Sequence, residues 1–198
     1  MRVIAGSAGG IRLVAPKRGV RPTMDRVKAA IFSSLGEAIP GARVLDLFAG
    51  SGALGIEALS RGASSVVFVE TDRQSAQIVE SNLAKTKLKG RVRQQDVFDF
   101  LRYASGAELF DVVFADPPYE KTENGERFTE KLLANEALSK LMDADGIFVL
   151  EKQPTEAFPE MKQWRLLRQK VYGATEVLFL SPSGARTHRT PEDRVRNC

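Results

Sequence analysis

The sequence is poor in the residues that build disulfides and metal sites. It contains one cysteine, Cys198, and one histidine, His188, among 198 residues. A single cysteine excludes an internal disulfide framework and is typical of a reducing compartment, so we expect a cytoplasmic protein. One His and one Cys also exclude an ordinary zinc site, and we expect no metal.

Long apolar runs are missing as well. No run approaches the roughly 20 residues that a membrane-spanning helix needs, and the first residues lack the apolar segment of a signal peptide. The hydrophobic content of 43% and the charged content of 27% are typical of a globular protein. The length suffices for one domain with a core, or for one domain with a small appendage. We therefore expect no membrane partner, and a monomer.

Acidic residues are scarce in the first 28 residues. This segment holds seven Lys and Arg residues against one acidic residue, Asp25, for a formal charge of +6. The whole chain carries +4, so the remainder is slightly acidic. The asymmetry favours contact with a polyanion. A solvated basic face without a partner remains the alternative.

A glycine-rich stretch organises the rest of the chain. Residues 43–47 predict a buried strand, after which the chain turns at the glycines and continues as a helix. Gly50, Gly52 and Gly55 have the spacing of a dinucleotide-binding turn, and Glu70 follows about twenty residues later at the next strand's end. Glycines let backbone N–H groups approach a ligand closely. The motif alone fits a nicotinamide or flavin enzyme, or an S-adenosylmethionine enzyme.

Two features favour S-adenosylmethionine. The first is Asp46, whose negative charge opposes a pyrophosphate but attracts a cationic aminopropyl or sulfonium group. The second is Asp116-Pro117-Pro118-Tyr119, which follows another apolar strand. The prolines fix the backbone and leave carbonyls free. Asp116 and the Pro117 carbonyl together can accept both hydrogens of an exocyclic amine and free its lone pair, while Tyr119 offers a face on which a base stacks.

The order of strands and helices predicts an α/β fold. We expect a Rossmann-like S-adenosylmethionine-dependent methyltransferase sheet, mostly parallel, with an antiparallel C-terminal hairpin and a small N-terminal β-hairpin extension. The predicted strands span 2–5, 11–15, 43–47, 65–70, 91–95, 111–115, 146–151, 164–171 and 176–180, and the predicted helices span 54–60, 73–86, 97–103 and 128–141, with a further helix that Thr23 caps. The predicted divisions are 1–22 for the basic hairpin, 23–181 for the methyltransferase domain and 182–198 for a flexible tail.

Strand ends place the cofactor-binding candidates along one crevice. Backbone groups of Gly50 and Gly52 are predicted to hold the methionine moiety, and Asp46 to face the aminopropyl group. Glu70 is predicted to accept the ribose hydroxyls. Asp96 is predicted to accept the adenine amine, although capping of the helix at Val97 competes with that role. The complete set of candidates from these strand ends is Asp46, Phe48, Gly50, Gly52, Glu70, Thr71, Asp96 and Val97.

The same motifs give the chain a family resemblance. It resembles the bacterial ribosomal RNA small subunit methyltransferase D family, which methylates the exocyclic N2 of a guanine in 16S rRNA. The resemblance covers about residues 1–181. The segments that carry it are 21–28 (Arg-Pro-Thr-x-Asp-Arg-Val-Lys), 45–63, 68–70, 110–119 and the late Tyr172-Gly173-x-Thr175.

The resemblance implies an S-adenosylmethionine-dependent enzyme that acts on the small ribosomal subunit or a late assembly intermediate. It implies that Thr23 and Arg26 reach the cofactor's carboxylate, and that Asp116, Pro117 and Tyr119 are catalytic. RNA contacts are expected at Arg12, Lys17, Arg18, Arg21, Pro118 and Tyr119. The turn at 8–10 is less basic than is usual for the family, which weakens the expected contribution of the turn itself.

Three alternatives remain at this stage. An adenine or cytosine amino-methyltransferase shares the tetrapeptide at 116–119, but normally needs a separate target-recognition region. A nicotinamide oxidoreductase predicts binding of NAD rather than S-adenosylhomocysteine. A non-enzymatic RNA-binding module explains the basic N-terminal segment, but leaves the acidic strand ends unexplained and predicts no methyl transfer.

Overall fold

A single seven-stranded sheet forms the centre of the molecule. The computed structural model describes residues 1–15, 24–104, 108–118, 127–156 and 161–184. Within them the strand order is β3-β2-β1-β4-β5-β7-β6. The strands are β1 (Arg43–Leu47), β2 (Ser65–Glu70), β3 (Arg91–Gln94), β4 (Phe110–Ala115), β5 (Met142–Lys152), β6 (Trp164–Tyr172) and β7 (Thr175–Pro182). The helices are α1 (Met24–Leu35), α2 (Ala53–Ser60), α3 (Arg73–Thr86), α4 (Val97–Tyr103), α5 (Phe128–Ala134) and α6 (Glu136–Lys140), with a 3₁₀ turn at Gly36–Ala38.

The central strands are covered on both faces, which explains their unbroken apolar runs. Successive side chains of a strand point to opposite faces, and Val44 and Leu45 of β1 accordingly lie in two different apolar cores. Helices α1, α2 and α3 contribute to the core of Val44. Helices α4, α5 and α6 contribute to that of Leu45. The molecule is therefore a three-layer α/β structure.

The sheet has its switch point at β1. Strand β1 pairs in parallel with both β2 and β4, so that the chain leaves its carboxyl end in one direction and returns on the other side. In such sheets the crevice outside the strand ends is the usual ligand site. This topology confirms the predicted fold class and places residues 48–52, 70–72 and 116–118 at one edge.

The N-terminal hairpin is shorter than predicted and packs closely on the sheet's helices. Only one antiparallel bridge, Arg2 with Arg12, forms in place of the strands predicted at 2–5 and 11–15. Val3 and Leu13 are buried in the core on the α1–α3 side. The backbone N–H of Ser7 donates to the Ser60 carbonyl on α2 at 2.8 Å. Residues 1–15 thus share a core with the sheet, while 16–22 of the predicted extension lie outside the described residues.

One predicted helix was wrong. The segment 128–141 is two helices, because Asn135 leaves the helical conformation (φ −81°, ψ 106°) and its side chain accepts the Leu138 N–H as the cap of α6. The C-terminal hairpin is confirmed: β6 and β7 pair antiparallel, and β7 pairs antiparallel with β5. Strand β7 continues to Pro182, into the predicted tail, of which residues 185–198 are outside the described part. None of the described helices has the length and apolar character needed to cross a bilayer.

Candidate active site

The glycine turn after β1 has one closed side and one open side. Phe48, Gly50 and Gly52 all have positive φ, of 56°, 55° and 76°. A Cβ on Gly52 would come within 3.0 Å of Val79. A Cβ on Gly50 would meet only the Phe48 carbonyl, at 3.9 Å. The side of the turn at Gly50 is therefore open enough to admit a ligand.

Glu70, the last residue of β2, closes onto this turn. Its carboxylate accepts the Gly50 N–H at 2.7 Å and the Asp72 N–H at 2.8 Å, one bond on each oxygen. A carboxylate has about four acceptor sites, so two bonds leave capacity for a ribose diol. The Gly50 N–H, which we predicted to hold the methionine moiety, is engaged by Glu70 in this structure. The cofactor roles of both residues stay predictions.

Asp46 lies beneath the turn, inside β1. It is buried, and its carboxylate accepts the Gly55 N–H at 2.8 Å. Burial, together with the nearby charges of Asp116 and Glu70, raises the pKa of Asp46 to about 8 against the lowering effect of the Gly55 bond. The structure thus places three of the four predicted acidic residues, Asp46, Glu70 and Asp116, close enough for their charges to interact. It places Asp46 under the crevice, where a proton rather than a charge is favoured at neutral pH.

Asp96 caps helix α4, as the competing interpretation predicted. One oxygen of its carboxylate accepts the N–H groups of Phe98 and Asp99 at 2.8 and 3.1 Å. The side chain is exposed at the same edge as Glu70. The cap uses one oxygen, so the predicted contact with the adenine amine remains compatible with it. Thr71, which follows Glu70, is exposed, and Val97 is the first residue of α4.

The loop after β4 begins beside the glycine turn. Ala115 pairs with Leu47 of β1, so that Asp116 and Phe48 follow two neighbouring strand ends. Asp116 is half-buried, Pro117 is buried and Pro118 is exposed. The buried first proline holds the loop against the protein, while the second is exposed to solvent.

Some predicted residues lie elsewhere or outside the described part. Arg12 is exposed at the N-terminal hairpin, and Arg26 is exposed in the first turn of α1. The tyrosine of the tetrapeptide, the helix cap and three of the basic candidates are not among the described residues; these are Tyr119, Thr23, Lys17, Arg18 and Arg21.

An aromatic cluster at the crevice was not predicted. The Phe48 ring lies 6.5 Å from Phe98 and 5.3 Å from Phe128, and the latter two are nearly parallel at 6.2 Å between centroids. The Lys131 ammonium lies over Phe98 and Phe128, at 5.7 and 6.0 Å. Phe48 is among the predicted cofactor-binding residues, but its grouping with Phe98 and Phe128 was not predicted. The three residues are far apart in sequence, so no local spacing marks them as a group.

These features fit an adenosine cofactor with a charged tail. The turn leaves open space at Gly50, and the carboxylates of Glu70 and Asp96 keep acceptor capacity for ribose hydroxyls and an adenine amine. Within the described ranges, no group of three His, Cys, Asp or Glu residues has the arrangement of a metal site. Fold and site together define a Rossmann-like nucleotide-cofactor protein.

Comparison with known proteins narrows this class. Residues 1–181 match the family described as Conserved hypothetical protein 95, and the chain belongs to this family. Ribosomal RNA small subunit methyltransferase D of Haemophilus influenzae is 36% identical over 182 residues, which cover 87% of this chain and 89% of that protein. The protein of the same name from Escherichia coli K12 is 35% identical over 181 residues, covering 87% and 85%. The family resemblance read from the sequence is confirmed.

A solved structure supports the same grouping. The hypothetical protein TTHA0928 of Thermus thermophilus superposes with a TM-score of 0.77 at 33% identity, over 91% of this chain and 99% of that one. The fold therefore agrees with that of a related protein over most of the chain.

Proposed function

We propose that the protein transfers a methyl group from S-adenosylmethionine to the exocyclic N2 of one guanine in 16S rRNA, within the small ribosomal subunit or a late assembly intermediate. One observation carries the proposal most directly. Asp116-Pro117-Pro118 leaves β4 beside the strand that carries the glycine turn, in a chain closely similar to methyltransferases named for small-subunit rRNA.

Different residues of the crevice would bind different parts of the cofactor. Glu70 and Asp96 would hold the ribose and the adenine, and the open side of Gly50 would take the methionine moiety. Arg26 and Thr23 would reach its carboxylate. When bound, S-adenosylmethionine supplies a methyl group on a positively charged sulfur, so the attacking nitrogen needs only a free lone pair.

Asp116 and Pro117 would prepare the target amine. The amine's lone pair is delocalised into the base, which makes it a poor nucleophile. One N–H donates to the Asp116 carboxylate and the other to the Pro117 carbonyl, which favours a tetrahedral nitrogen whose lone pair points at the methyl group. As the new N–C bond forms and the bond between the methyl group and sulfur breaks, one amine proton would leave through the Asp116 carboxylate. Pro118 and Tyr119 would contact the base.

The test is transfer of radiolabelled methyl groups to small subunits that lack the modification, followed by mass analysis of the nucleosides. We expect N2-methylguanosine at one site, and loss of turnover in Asp116→Ala with S-adenosylhomocysteine still bound. Asp145→Ala removes an exposed carboxylate at the opposite end of the sheet and serves as the control. Turnover of Asp116→Ala within about tenfold of wild type, roughly 1.4 kcal/mol, would contradict the mechanism.

Parallel reactions separate the remaining candidates. Methyladenosine or methylcytosine as product, with free rRNA or DNA as the better substrate, would identify a different amino-methyltransferase. Binding of NAD in place of S-adenosylhomocysteine would identify an oxidoreductase.

A further inference from the structure

A charged pair is buried at the carboxyl end of the α4–α6 core. Lys152 ends β5 on the same face as Phe148 and Leu150, which are fully buried. Its side chain is also fully buried, and its Nζ lies 2.7 Å from Oε2 of Glu176, its cross-strand neighbour on β7. An alternating apolar pattern would have placed a hydrophobic side chain here.

Stability alone does not account for this pair. Burying two charges costs several kcal/mol of desolvation, and well-packed apolar replacements are often equally stable or more so. The pair differs from an apolar pair in the hydrogen bonds that its ammonium group makes. The Lys152 ammonium also donates to the carbonyls of Gln153 and Glu156, at 2.6 and 2.7 Å. It thereby fixes the turn that follows β5.

This turn holds the beginning of α5. Oε2 of Glu156 accepts a 2.6 Å hydrogen bond from the hydroxyl of Thr129, which is buried. Thr129 follows Phe128, whose ring contacts Phe48 beside the glycine turn. Lys152 itself lies two residues beyond Leu150, the partner of Ala115 that precedes Asp116. A continuous series of contacts thus connects Lys152 on β5, the strand beside β4, to the Phe128 ring beside the glycine turn.

We propose that Lys152 and Glu156 are positioning residues for methyl transfer, acting through Thr129 on the placement of Phe128. This inference rests on the proposed function. The Phe128 ring packs on Phe48, which follows β1, and β1 lies beside β4 and its Asp116. The position of this ring therefore limits how a base stands beside Asp116. Displacing the start of α5 misaligns the base without removing any group that binds the cofactor, and misalignment by about 1 Å costs up to about 100-fold in rate.

Thr129→Val tests the anchor, since it removes the hydroxyl and keeps the shape. We expect kcat to fall about tenfold or more, with the Kd for S-adenosylhomocysteine unchanged and with faster amide hydrogen exchange at 127–134. Thr129→Ser, which keeps the hydroxyl, should have the kcat and the amide hydrogen exchange of the wild type. Ser139→Ala, which removes an exposed hydroxyl bonded within α6, is the matched control. Lys152→Met/Glu176→Leu replaces the buried pair as a unit and should show the same loss of kcat in a folded protein.

The outcomes separate the anchor from the proposed function. Full kcat in Thr129→Val and in the folded double variant would overturn the positioning role, as would an equal loss of cofactor affinity and kcat. Unchanged hydrogen exchange in Thr129→Val would overturn the anchor itself. If the wild-type protein methylates no nucleic acid, the proposed function is wrong, and the exchange measurement still decides whether Glu156 holds α5.

Discussion

Two glycines of the turn are required for different reasons. A Cβ on Gly55 would lie 2.3 Å from the Phe68 ring and 2.8 Å from Val66, so there the glycine allows α2 to pack on β2. A Cβ on Gly50 would meet only the Phe48 carbonyl, in ordinary contact at 3.9 Å. The same fingerprint therefore combines a packing requirement with space for a ligand.

The pair Gly50→Ala and Gly55→Ala separates these requirements. Gly55→Ala should lower the free energy of unfolding by about 1–3 kcal/mol through overpacking. Gly50→Ala should cost only about 1–2 kcal/mol for its left-handed backbone, but should weaken binding of S-adenosylhomocysteine severely. Denaturant titration and calorimetry measure the two effects. If Gly50→Ala bound the cofactor as wild type does, the open side of the turn would not be the cofactor's site.

Asp46 should give the protein an unusual dependence on alkaline pH. Burial raises the pKa of Asp46 to about 8 in the folded protein, from an ordinary 3.8. Between these values the unfolded chain releases the proton that the folded protein retains, so stability falls with rising pH, by roughly 1.4 kcal/mol per pH unit. Below the ordinary value the penalty is absent, and above about 8 it is constant.

Asp46→Asn should remove this dependence, because an amide oxygen can still accept the Gly55 N–H without carrying a charge. We expect the variant to match wild type near pH 4 and to be more stable at pH 8, in denaturant titrations without cofactor. Asp145→Asn, at an exposed carboxyl, should follow wild type at every pH. Parallel wild-type and Asp46→Asn curves across this range would show that Asp46 is ionised in the folded protein.

At the scale of elements, a buried carboxylate adds to the Ser60 bond that joins α2 to the N-terminal hairpin. Glu57 accepts the N–H groups of Ile4 and Ala5, at 2.7 and 3.1 Å, and pairs with the Lys28 ammonium of α1 at 3.0 Å. Burial by itself raises the pKa of Glu57, but the Ile4 bond and the charge of Lys28 outweigh it and lower the pKa. Its stabilisation is therefore present above the ordinary value of 4.5 and is lost as the pH falls through the lower folded value.

Glu57→Ala should destabilise the protein by about 3–5 kcal/mol, since it leaves the Lys28 charge buried without its partner. Thermal or denaturant unfolding measures the loss. Glu136→Ala, which breaks the exposed pair with Lys140 on α6, is the control and should cost less than about 1 kcal/mol. Equal effects of the two substitutions would mean that Glu57 does not anchor the N-terminal hairpin.

At the scale of the molecule, positive charge is concentrated in the first 28 residues of the sequence. Arg12 belongs to this basic segment; its side chain is exposed, and its backbone forms a β-bridge with that of Arg2. If this segment contacts RNA phosphates, Arg12→Gln should weaken RNA binding and reduce the slope of log K against log salt by about 0.7–0.9 for the contact that is lost. The methylated nucleoside should not change, because phosphate contacts carry no base identity.

Binding titrations at several salt concentrations measure that slope. Arg102→Gln removes an exposed cation from α4, on the other side of the sheet, and should leave it unaltered. A slope that responds equally to both substitutions would indicate binding by net charge alone, without a defined RNA surface.

Only the tertiary structure decided which polar side chains are buried and what they hold. Lys152 and Glu57 occupy positions where local pattern predicts exposure or an apolar residue, and their partners come from segments that are distant in sequence. The break at Asn135 depends on a cap that competes with a continuous helix, and helix propensity alone does not settle that competition. The grouping of Phe48, Phe98 and Phe128 exists only because three separate segments meet at one edge of the sheet.

The sequence by itself determined the parallel sheet, its switch point, the glycine turn and the family. Apolar runs, glycines and prolines act through the conformations that each residue allows and the surface it buries, and these properties are written residue by residue. The same patterns led to Glu70, Asp96 and Asp116 at the edge where the structure places them. The protonation of Asp46 and the anchor of α5 depend on the tertiary structure. Desolvation and hydrogen bonds between elements arise only when folding buries a side chain or brings distant segments together.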